Sequence, residues 1–360
     1  MTTPVIHYAS SRDGTRIAVA CVGSGPALVV STLHVSDGIA AAGPAARPWL
    51  ELLAPHRRVA RFDARGCGLS GRPAGAPDLD LCVEDLAAVV DSVEPSRPVV
   101  LLGLSHGAAI AVHYAAQCPE HVAGLVLCGA GARGRLRRGQ GEAATDETRT
   151  ITEAMRAAFT EGMAYTPGFR RALLTQFLPE ASAAQQDALA AGIFGHMDGG
   201  TAAAYSELGY RFDLTEAAPR LRCPTLALHA RGDQLMPFDE GRLLASLIPG
   251  ARFVPLATRN HLPLEGDAAW ALVAAEVQRF LGLGAAAATV GAAALTPRQA
   301  QVLALVGQGR TDKEVARALG LSPRTVEMHV AHALRALDCR SRAQAVQVAL
   351  RHGLLERALP

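Results

Sequence analysis

The sequence contains no long uninterrupted apolar segment. A membrane-spanning helix needs about 18 or more consecutive apolar residues, and no stretch of the 360-residue chain approaches that length. The amino-terminal stretch MTTPVIHYASSRDG also lacks the basic and then apolar pattern of a secretory signal. We therefore expect a protein that makes no membrane contact and works in the cytoplasm.

Cysteine is scarce, and its spacing is irregular. The seven cysteines are scattered, odd in number, and form no C-x-x-C pair. Zinc sites and disulfide frameworks both depend on regularly spaced cysteines. The sequence therefore predicts buried thiols in a reducing compartment, with no metal and no other cofactor.

The charge is small overall but unevenly distributed. The formal net charge is +2, yet the segment from Leu295 onward carries 10 Arg/Lys against 5 Asp/Glu, which leaves 25 against 28 before it. A basic tail on a mildly acidic body indicates a nucleic-acid partner.

Short apolar runs alternate with helical stretches over roughly the first 130 residues. The runs are PALVVST (26–32), RVARFD (58–63), PVVLLGL (98–104) and VAGLVLCG (122–129). This rhythm predicts a parallel sheet with helices on both faces. Strands resume at 223–233 and 251–261, and 268–281 has helical periodicity.

The segment from about residue 133 to 220 contains helical patterns without a convincing strand, which predicts a cap inserted over the sheet edge. Aromatic residues form only 4% of the chain, but eight of the 16 fall between Phe159 and Phe212. Aromatic side chains that line a pocket favour a small apolar or acyl ligand.

The stretch LLGLSHGAA (101–109) places Ser105 between Gly103 and Gly107. An apolar strand runs into this motif and an alanine-rich helix leaves it. Such a turn holds a serine in a strained backbone conformation and needs residues without bulk two positions to either side. The sequence therefore predicts a nucleophilic Ser105 at the carboxyl end of a strand.

A serine nucleophile also needs donors for the oxyanion that forms during acyl transfer. The backbone N–H of His106, at the start of the helix, is the first candidate. The second should come from the loop after PALVVST, so that Leu33 or His34 is expected to supply it.

The base and the carboxylate should follow the serine in the order Ser, Asp, His. Asp233 follows the strand TLALHA and His261 follows RFVPL, so both lie just past the carboxyl ends of strands. Competing candidates for the acid, none of which directly follows a strand, are Asp213, Asp239 and Asp267.

Two segments carry a family resemblance. RFDARGCGLSGRP (61–73) resembles the D-x-R-G-x-G-x-S segment of the α/β-hydrolase fold superfamily, and VLLGLSHGAAIAVHYAAQCPEHVAGLVL resembles that family's elbow, helix and next strand. The resemblance covers residues 1–281. It implies an esterase-like or lactonase-like catalytic triad of Ser105, Asp233 and His261.

After the Gly/Ala-rich stretch 282–294, which we interpret as a linker, four helix starts follow in close succession. Three are S/T-x-x-E/Q capping boxes, and two place Pro at the first helical position. The caps are Thr296, Thr311, Ser322 and Ser341. The sequence therefore predicts a helical module over 295–360.

Residues 311–337 have the layout of a helix-turn-helix, with Gly320 ending one helix and Ser322 capping the next. Val326, Val330, Ala333 and Leu337 form one apolar stripe. The residues expected to contact phosphates or bases are Arg310, Lys313, Arg324, Thr325, Glu327, Met328, Ala331 and Arg335.

The segment 295–355 resembles the LuxR-type output domain, whose pattern LTPREREVL…NKEIA…LGLSPRTVKNH…RSR it matches nearly throughout. The resemblance implies that Pro323–Leu337 reads DNA and that Arg342–His352 helps to dimerise. Departures from the pattern are Gln299, Gln301, Glu327 and Met328. A helical protein-interaction domain is the alternative for this segment.

These observations predict an α/β fold: an α/β-hydrolase fold with a helical cap, followed by a small all-α helix-turn-helix domain. The expected function is transcriptional regulation, with double-stranded DNA and a small-molecule ligand as partners and a homodimer as the assembly. One alternative is an esterase or lactonase with an auxiliary DNA-binding tail. A non-catalytic scaffold is the other.

Overall fold

The computed structural model describes residues 4–32, 38–40, 42–73, 75–138, 146, 149–154, 156–157, 167–283, 296–336 and 341–351. The chain divides into two compact units, Met1–Val277 and Gln278–Pro360. Within the described part of the chain, no helix is long and apolar enough to cross a bilayer.

The first unit is built on a single sheet, which has eight strands in the described part of the chain, in the order β1-β2-β4-β3-β5-β6-β7-β8. The strands are β1 (Val5–Ser10), β2 (Arg16–Val22), β3 (Ala27–Ser31), β4 (Arg58–Phe62), β5 (Val99–Leu104), β6 (Val122–Cys128), β7 (Thr225–Ala230) and β8 (Arg252–Leu256). From β4 to β8 all neighbours are parallel, as expected. The central strands are fully buried Val- and Leu-rich runs, which suits a parallel sheet.

The expectation of a parallel sheet was wrong at the amino-terminal edge. β1 pairs with β2, and β2 with β4, in antiparallel fashion. An Asp13-Gly14 turn joins the first two strands, with Gly14 at φ +84° and the Thr15 N–H bonded to the Asp13 carboxylate at 2.9 Å. An Asp-Gly pair between two strands is a strong hairpin signal, so the sequence did contain this information.

Helices connect the strands, and several of them pack against the sheet. They are α1 (Arg47–Leu53), α2 (Leu79–Val93), α3 (Gly107–Gln117), α4 (Pro167–Phe177), α5 (Ala183–Gly195), α6 (Gly199–Arg211), α7 (Phe238–Leu247) and α8 (Trp270–Phe280). The helices α4, α5 and α6 lie between β6 and β7 in the chain, which is the helical cap expected from the sequence.

The buried residue Arg65 connects helix α6 of the cap to the part of the first unit that carries the sheet. The Arg65 guanidinium is 3% exposed and pairs with Asp85 at 2.6 Å and with Asp13 at 2.8 Å. The Tyr205 hydroxyl of α6 donates to the Arg65 carbonyl at 2.9 Å. The D-x-R-G segment thus has a structural role.

The second unit is all helical in its described residues. Its helices are α9 (Pro297–Gly307), α10 (Asp312–Leu319), α11 (Pro323–Ala336) and α12 (Arg342–Arg351). The Thr296 cap is reciprocal: its N–H donates to the Gln299 side chain at 2.8 Å, and its hydroxyl accepts the Gln299 N–H at 3.2 Å. Gly320 ends α10 at φ +65°. Buried Val302, Val315, Val326 and Val330 form one of the two core clusters.

Candidate active site and DNA-binding face

Ser105 lies in the turn between β5 and α3. Among the described residues it alone combines a side chain with a positive φ, which is +53°. That backbone conformation costs a non-glycine residue about 1–2 kcal/mol. Its N–H donates to the Cys128 carbonyl at 2.9 Å, and its carbonyl accepts the Ala108 N–H at 3.0 Å. The surrounding structure therefore holds this strained turn in place.

The two glycines of the motif are required by close packing. A Cβ on Gly103 would lie 2.7 Å from the Ala108 Cα, and a Cβ on Gly107 would lie 2.3 Å from the Ser31 carbonyl oxygen. Both distances are far shorter than a carbon atom tolerates. The helix α3 can therefore approach β5 and β3 closely enough to form the turn only with glycine at these positions.

The structure brings Ser105, His261 and Asp233 together. The His261 Nε2 lies 2.7 Å from the Ser105 Oγ, and its Nδ1 lies 2.6 Å from the Asp233 Oδ2. The three residues are buried, with exposed fractions of 3%, 2% and 7% for Ser105, His261 and Asp233. An ionised Asp233 accepts only, so the Nδ1 carries the proton and the Nε2 is left to accept the serine proton.

The Asp233 carboxylate is held from both sides. Its Oδ1 accepts the N–H groups of Leu235 and Met236, each at 2.9 Å. Burial alone raises the pKa of Asp233, but the charge and hydrogen bond of His261 outweigh it, with smaller contributions from His229 and Met236, and the pKa lies below its ordinary value. Asp233 therefore favours its charged form at neutral pH.

His229 supports the loop that carries Asp233. Its Nδ1 lies 3.0 Å from the Ala130 carbonyl oxygen, and its Nε2 lies 2.8 Å from that of Met236. Burial lowers the pKa of His229, although Asp233, with its Oδ2 3.6 Å from the Nε2, acts in the opposite direction. These contacts give His229 a structural role.

The other candidate acids have different partners. The Asp213 carboxylate accepts from Thr215, and Asp239 pairs with Arg242 at 3.1 Å. Asp267 accepts from the Asn260 amide at 2.9 Å. The structure thus places Asp233 beside the histidine, and the three competitors elsewhere.

Of the predicted oxyanion donors, the structure describes His106. His106 is the N-cap residue of α3. Its ring packs against α6 of the helical cap domain, where a Cβ on Gly209 would lie 2.4 Å from the Nδ1. The His106 and Phe212 rings meet edge to face, with centroids 6.0 Å apart. Leu33 and His34 lie outside the described residues.

A small apolar cleft adjoins His261. Its volume is about 10 Å³, close to that of one water molecule. The His261 ring forms part of its wall, and the rest of the lining is apolar. The lining residues are Ala45, Leu174, Phe177, Leu178, Leu189, Ile193, His261, Leu262 and Leu264.

Hydrogen bonds between the cap and the loop that carries His261 were not predicted from the sequence. The His261 N–H donates to the Phe177 carbonyl at 2.7 Å, and the Glu180 N–H donates to the Asn260 side chain at 2.9 Å. The partners are about 80 residues apart in the chain. Periodicity and capping patterns report only on near neighbours, so no local signal indicates such a contact.

In the second unit, one face of α11 is buried and the other is open. Val326, Val330 and Ala333 are at most 2% exposed, whereas Leu337 lies outside the described residues. On the predicted DNA side the exposed residues are Arg310, Lys313, Arg324, Glu327, Met328 and Ala331, with Thr325 half-buried. Arg335 belongs to α11, but its side chain is outside the described part.

Family models match both units. The model described as serine aminopeptidase, S33, matches residues 42–253, and the model described as bacterial regulatory proteins, luxR family, matches residues 293–349. The chain therefore belongs to the α/β-hydrolase family that the first model represents, and it carries a LuxR-type DNA-binding domain at its carboxyl-terminal end.

Individual relatives align with one unit or the other. Pyrrolizixenacetamide deacetylase from Xenorhabdus hominickii is 30% identical over 57% of this chain and 73% of its own length. The transcriptional activator protein CarR from Pectobacterium carotovorum is 47% identical over 16% of this chain and 24% of its own length. The match thus spans about a quarter of CarR.

Solved structures match the first unit. An enol-lactonase from Burkholderia xenovorans LB400 superposes with a TM-score of 0.62 at 25% identity, over 77% of this chain and all of the enol-lactonase chain. The fold is therefore that of the α/β-hydrolases, with a mixed sheet, followed by an all-α helix-turn-helix domain.

Proposed function

We propose that this chain is a transcriptional regulator whose hydrolase-fold domain senses a small apolar or acyl molecule, which it binds or hydrolyses slowly. The observation that carries the proposal is that one chain joins a buried, hydrogen-bonded Ser-His-Asp arrangement to a LuxR-type domain. A DNA-binding domain is of no use to an enzyme that only processes a metabolite. The hydrolase-fold domain is therefore assigned the role of signal receiver.

The domain boundaries are part of this proposal. Residues 1–281 form the hydrolase-fold domain, with the cap over about 133–220, and residues 295–360 form the DNA-binding domain. Residues 282–294, which lie outside the described residues except for 282 and 283, serve as the linker.

The chemistry proposed for the triad is acyl transfer to serine. The Ser105 Oγ attacks the carbonyl carbon of an ester or lactone while the His261 Nε2 takes its proton. The oxyanion is stabilised by the backbone N–H groups of His106 and His34. The leaving oxygen then takes this proton from His261, so that an ester releases its alcohol and a lactone ring opens, and the acyl group stays on Ser105.

Water completes the cycle. His261 takes a proton from a water molecule that attacks the acyl carbon, and the returning proton restores the Ser105 hydroxyl as the carboxylic acid leaves. Asp233 keeps the required proton on Nδ1 of His261 throughout. The apolar cleft beside His261 supports an aliphatic acyl or alkyl group as the ligand's buried part.

The proposed DNA contacts are those predicted from the sequence. Arg310, Lys313, Arg324 and Thr325 would contact phosphates. Glu327, Met328 and Ala331 would face base edges, and Arg335 would lie on the same outward face of α11. So few phosphate contacts per subunit give weak binding at physiological salt. We therefore propose that the regulator binds as a homodimer to two half-sites, in the cytoplasm.

The second candidate function is a competent esterase or lactonase with an auxiliary DNA-binding tail. The short distances within the triad favour it, since they match the spacing that nucleophile and base require. The two functions differ in whether DNA binding responds to the small molecule.

A pair of measurements tests the proposal. Purified full-length chain should retard its own upstream DNA at low salt, and short acyl esters should be turned over, if at all, only while Ser105 is present. If the chain retards no DNA, the proposed function as a regulator is contradicted. If Ser105→Ala turns over esters at the wild-type rate, Ser105 is not the nucleophile.

A further inference from the structure

His261 lies on the irregular loop between the end of β8 and the start of α8. A loop side chain must be held within about 0.5 Å of its productive position to act as a base. The bond to Asp233 fixes the ring, and other contacts must fix the backbone that carries it.

The turn between α4 and α5 of the cap provides these contacts. The Glu180 Oε2 accepts the Arg259 N–H at 3.0 Å and lies 2.8 Å from the Thr258 hydroxyl, whose single proton it shares with the Asp267 Oδ2, also at 2.8 Å. Its backbone N–H donates to the Asn260 side chain at 2.9 Å. The next residue, His261, donates its N–H to Phe177, at the end of α4. Four successive loop residues are thus bonded to one turn of the cap.

Among the described residues, Glu180 contributes the only side chain of the cap turn that hydrogen-bonds to these four residues, since the other two bonds use the backbone N–H of Glu180 and the carbonyl of Phe177. The Phe177 ring meets the His261 ring edge to face without a hydrogen bond, with centroids 6.4 Å apart. Both donors to the carboxylate are neutral groups, so we expect a neutral acceptor oxygen at this position to make the same hydrogen bonds as the charged one. Of the loop residues that Glu180 binds, Thr258 and Asn260 are buried, at 5% and 3% exposed, and Arg259 is exposed.

We propose that Glu180 is a positioning residue that fixes the His261 loop to the cap and so aligns His261 with Ser105. The apolar cleft lies between the same two elements and has room for about one water molecule. A ligand group larger than a water molecule fits this cleft only if the cap and the loop that line it separate, so the Glu180 bonds make cap position and His261 alignment interdependent. This inference rests on the proposed function of the triad.

The test compares Glu180→Ala, Glu180→Gln and the matched control Glu265→Ala, which removes an exposed carboxylate from the same loop. The rate of Ser105 labelling by a fluorophosphonate is measured for each full-length variant. Hydrogen exchange of the amides at 258–262 is measured in parallel. Glu180→Ala should lower the labelling rate by roughly 10- to 100-fold, the scale of a small misplacement of a catalytic group, and should speed exchange at 258–262.

Glu180→Gln should restore both properties, because an amide oxygen accepts the same two neutral donors, and Glu265→Ala should match the wild type. Wild-type labelling and exchange in Glu180→Ala would overturn the proposal. A Glu180→Gln variant as impaired as Glu180→Ala would do so too, since charge would then be the cause. If the wild type itself is not labelled, the proposed chemistry of the triad fails, and the exchange comparison still decides whether Glu180 holds the loop.

Discussion

At the scale of single residues, the carboxylate of Asp233 determines which nitrogen of His261 carries a proton. Asp233→Asn can donate its amide to Nδ1, which would leave the proton on Nε2, where it faces the Ser105 Oγ. A ring in that tautomer cannot accept the serine proton. We expect fluorophosphonate labelling of Ser105 to slow by about 10⁴-fold, the order seen when a triad carboxylate becomes an amide.

The control for this variant is Asp239→Asn, which changes an exposed carboxylate on α7 and should label at the wild-type rate. Equal labelling of Asp233→Asn and the wild type would show that His261 does not depend on Asp233.

The pKa of Asp233 also predicts how stability changes with pH. Because it is lower in the folded chain than its ordinary value of 3.8, the ionised form stabilises the folded state. This contribution is fully present above about pH 4 and is lost as the pH falls through the lower, folded-state pKa. Thermal unfolding should therefore show the wild type losing its advantage over Asp233→Asn only below about pH 4. An advantage that grows in acid would contradict the sign of the shift.

Single residues also show where sequence reasoning succeeds. Ser105, Gly103 and Gly107 are recognisable because the turn they form is local and its steric demands fall on fixed positions. The Glu180 contacts could not be anticipated, because they depend on how a cap turn meets a loop about 80 residues away in the chain.

At the scale of elements, the strands β3 to β8 were predicted because each is a short, largely apolar run. The edge strand β1 was missed for the opposite reason. It is largely exposed, with Val5 at 76% and Tyr8 at 44%, and therefore carries no continuous apolar signal. Only its Asp13-Gly14 turn indicated it.

The helices of the second unit were predicted more closely, because capping residues mark their starts. Thr296, Thr311, Ser322 and Ser341 each precede an observed helix directly. The cap was predicted only as a helical region, since its packing on the sheet depends on contacts such as Tyr205 with Arg65.

The exposed face of α11 leads to a prediction about DNA affinity. Arg324→Ala should weaken binding about equally for all DNA sequences and reduce the slope of log affinity against log salt by about 1, because a phosphate contact carries no base information. Titrations of labelled DNA at several salt concentrations measure this slope. Arg12→Ala, which removes an exposed arginine from the first unit, should leave it unchanged. A loss confined to one DNA sequence would instead assign Arg324 to base readout.

At the scale of the whole molecule, the chain pairs a hydrolase-fold unit with a LuxR-type unit, and the uneven charge follows that division. The family models and both sets of relatives agree with it. The sequence could predict this organisation because each unit has its own local motifs. It contains no comparable pattern for the ligand, whose recognition depends on the assembled cleft.

The central claim is that the state of Ser105 is transmitted to DNA binding. The most direct measurement is the affinity for the chain's own upstream DNA before and after fluorophosphonate labelling, with Ser105→Ala as the unlabelled control. We predict that the wild type is labelled, that Ser105→Ala is not, and that labelling changes the affinity by about fivefold or more, the lower end of allosteric coupling. Complete labelling with unchanged DNA affinity would contradict the claim.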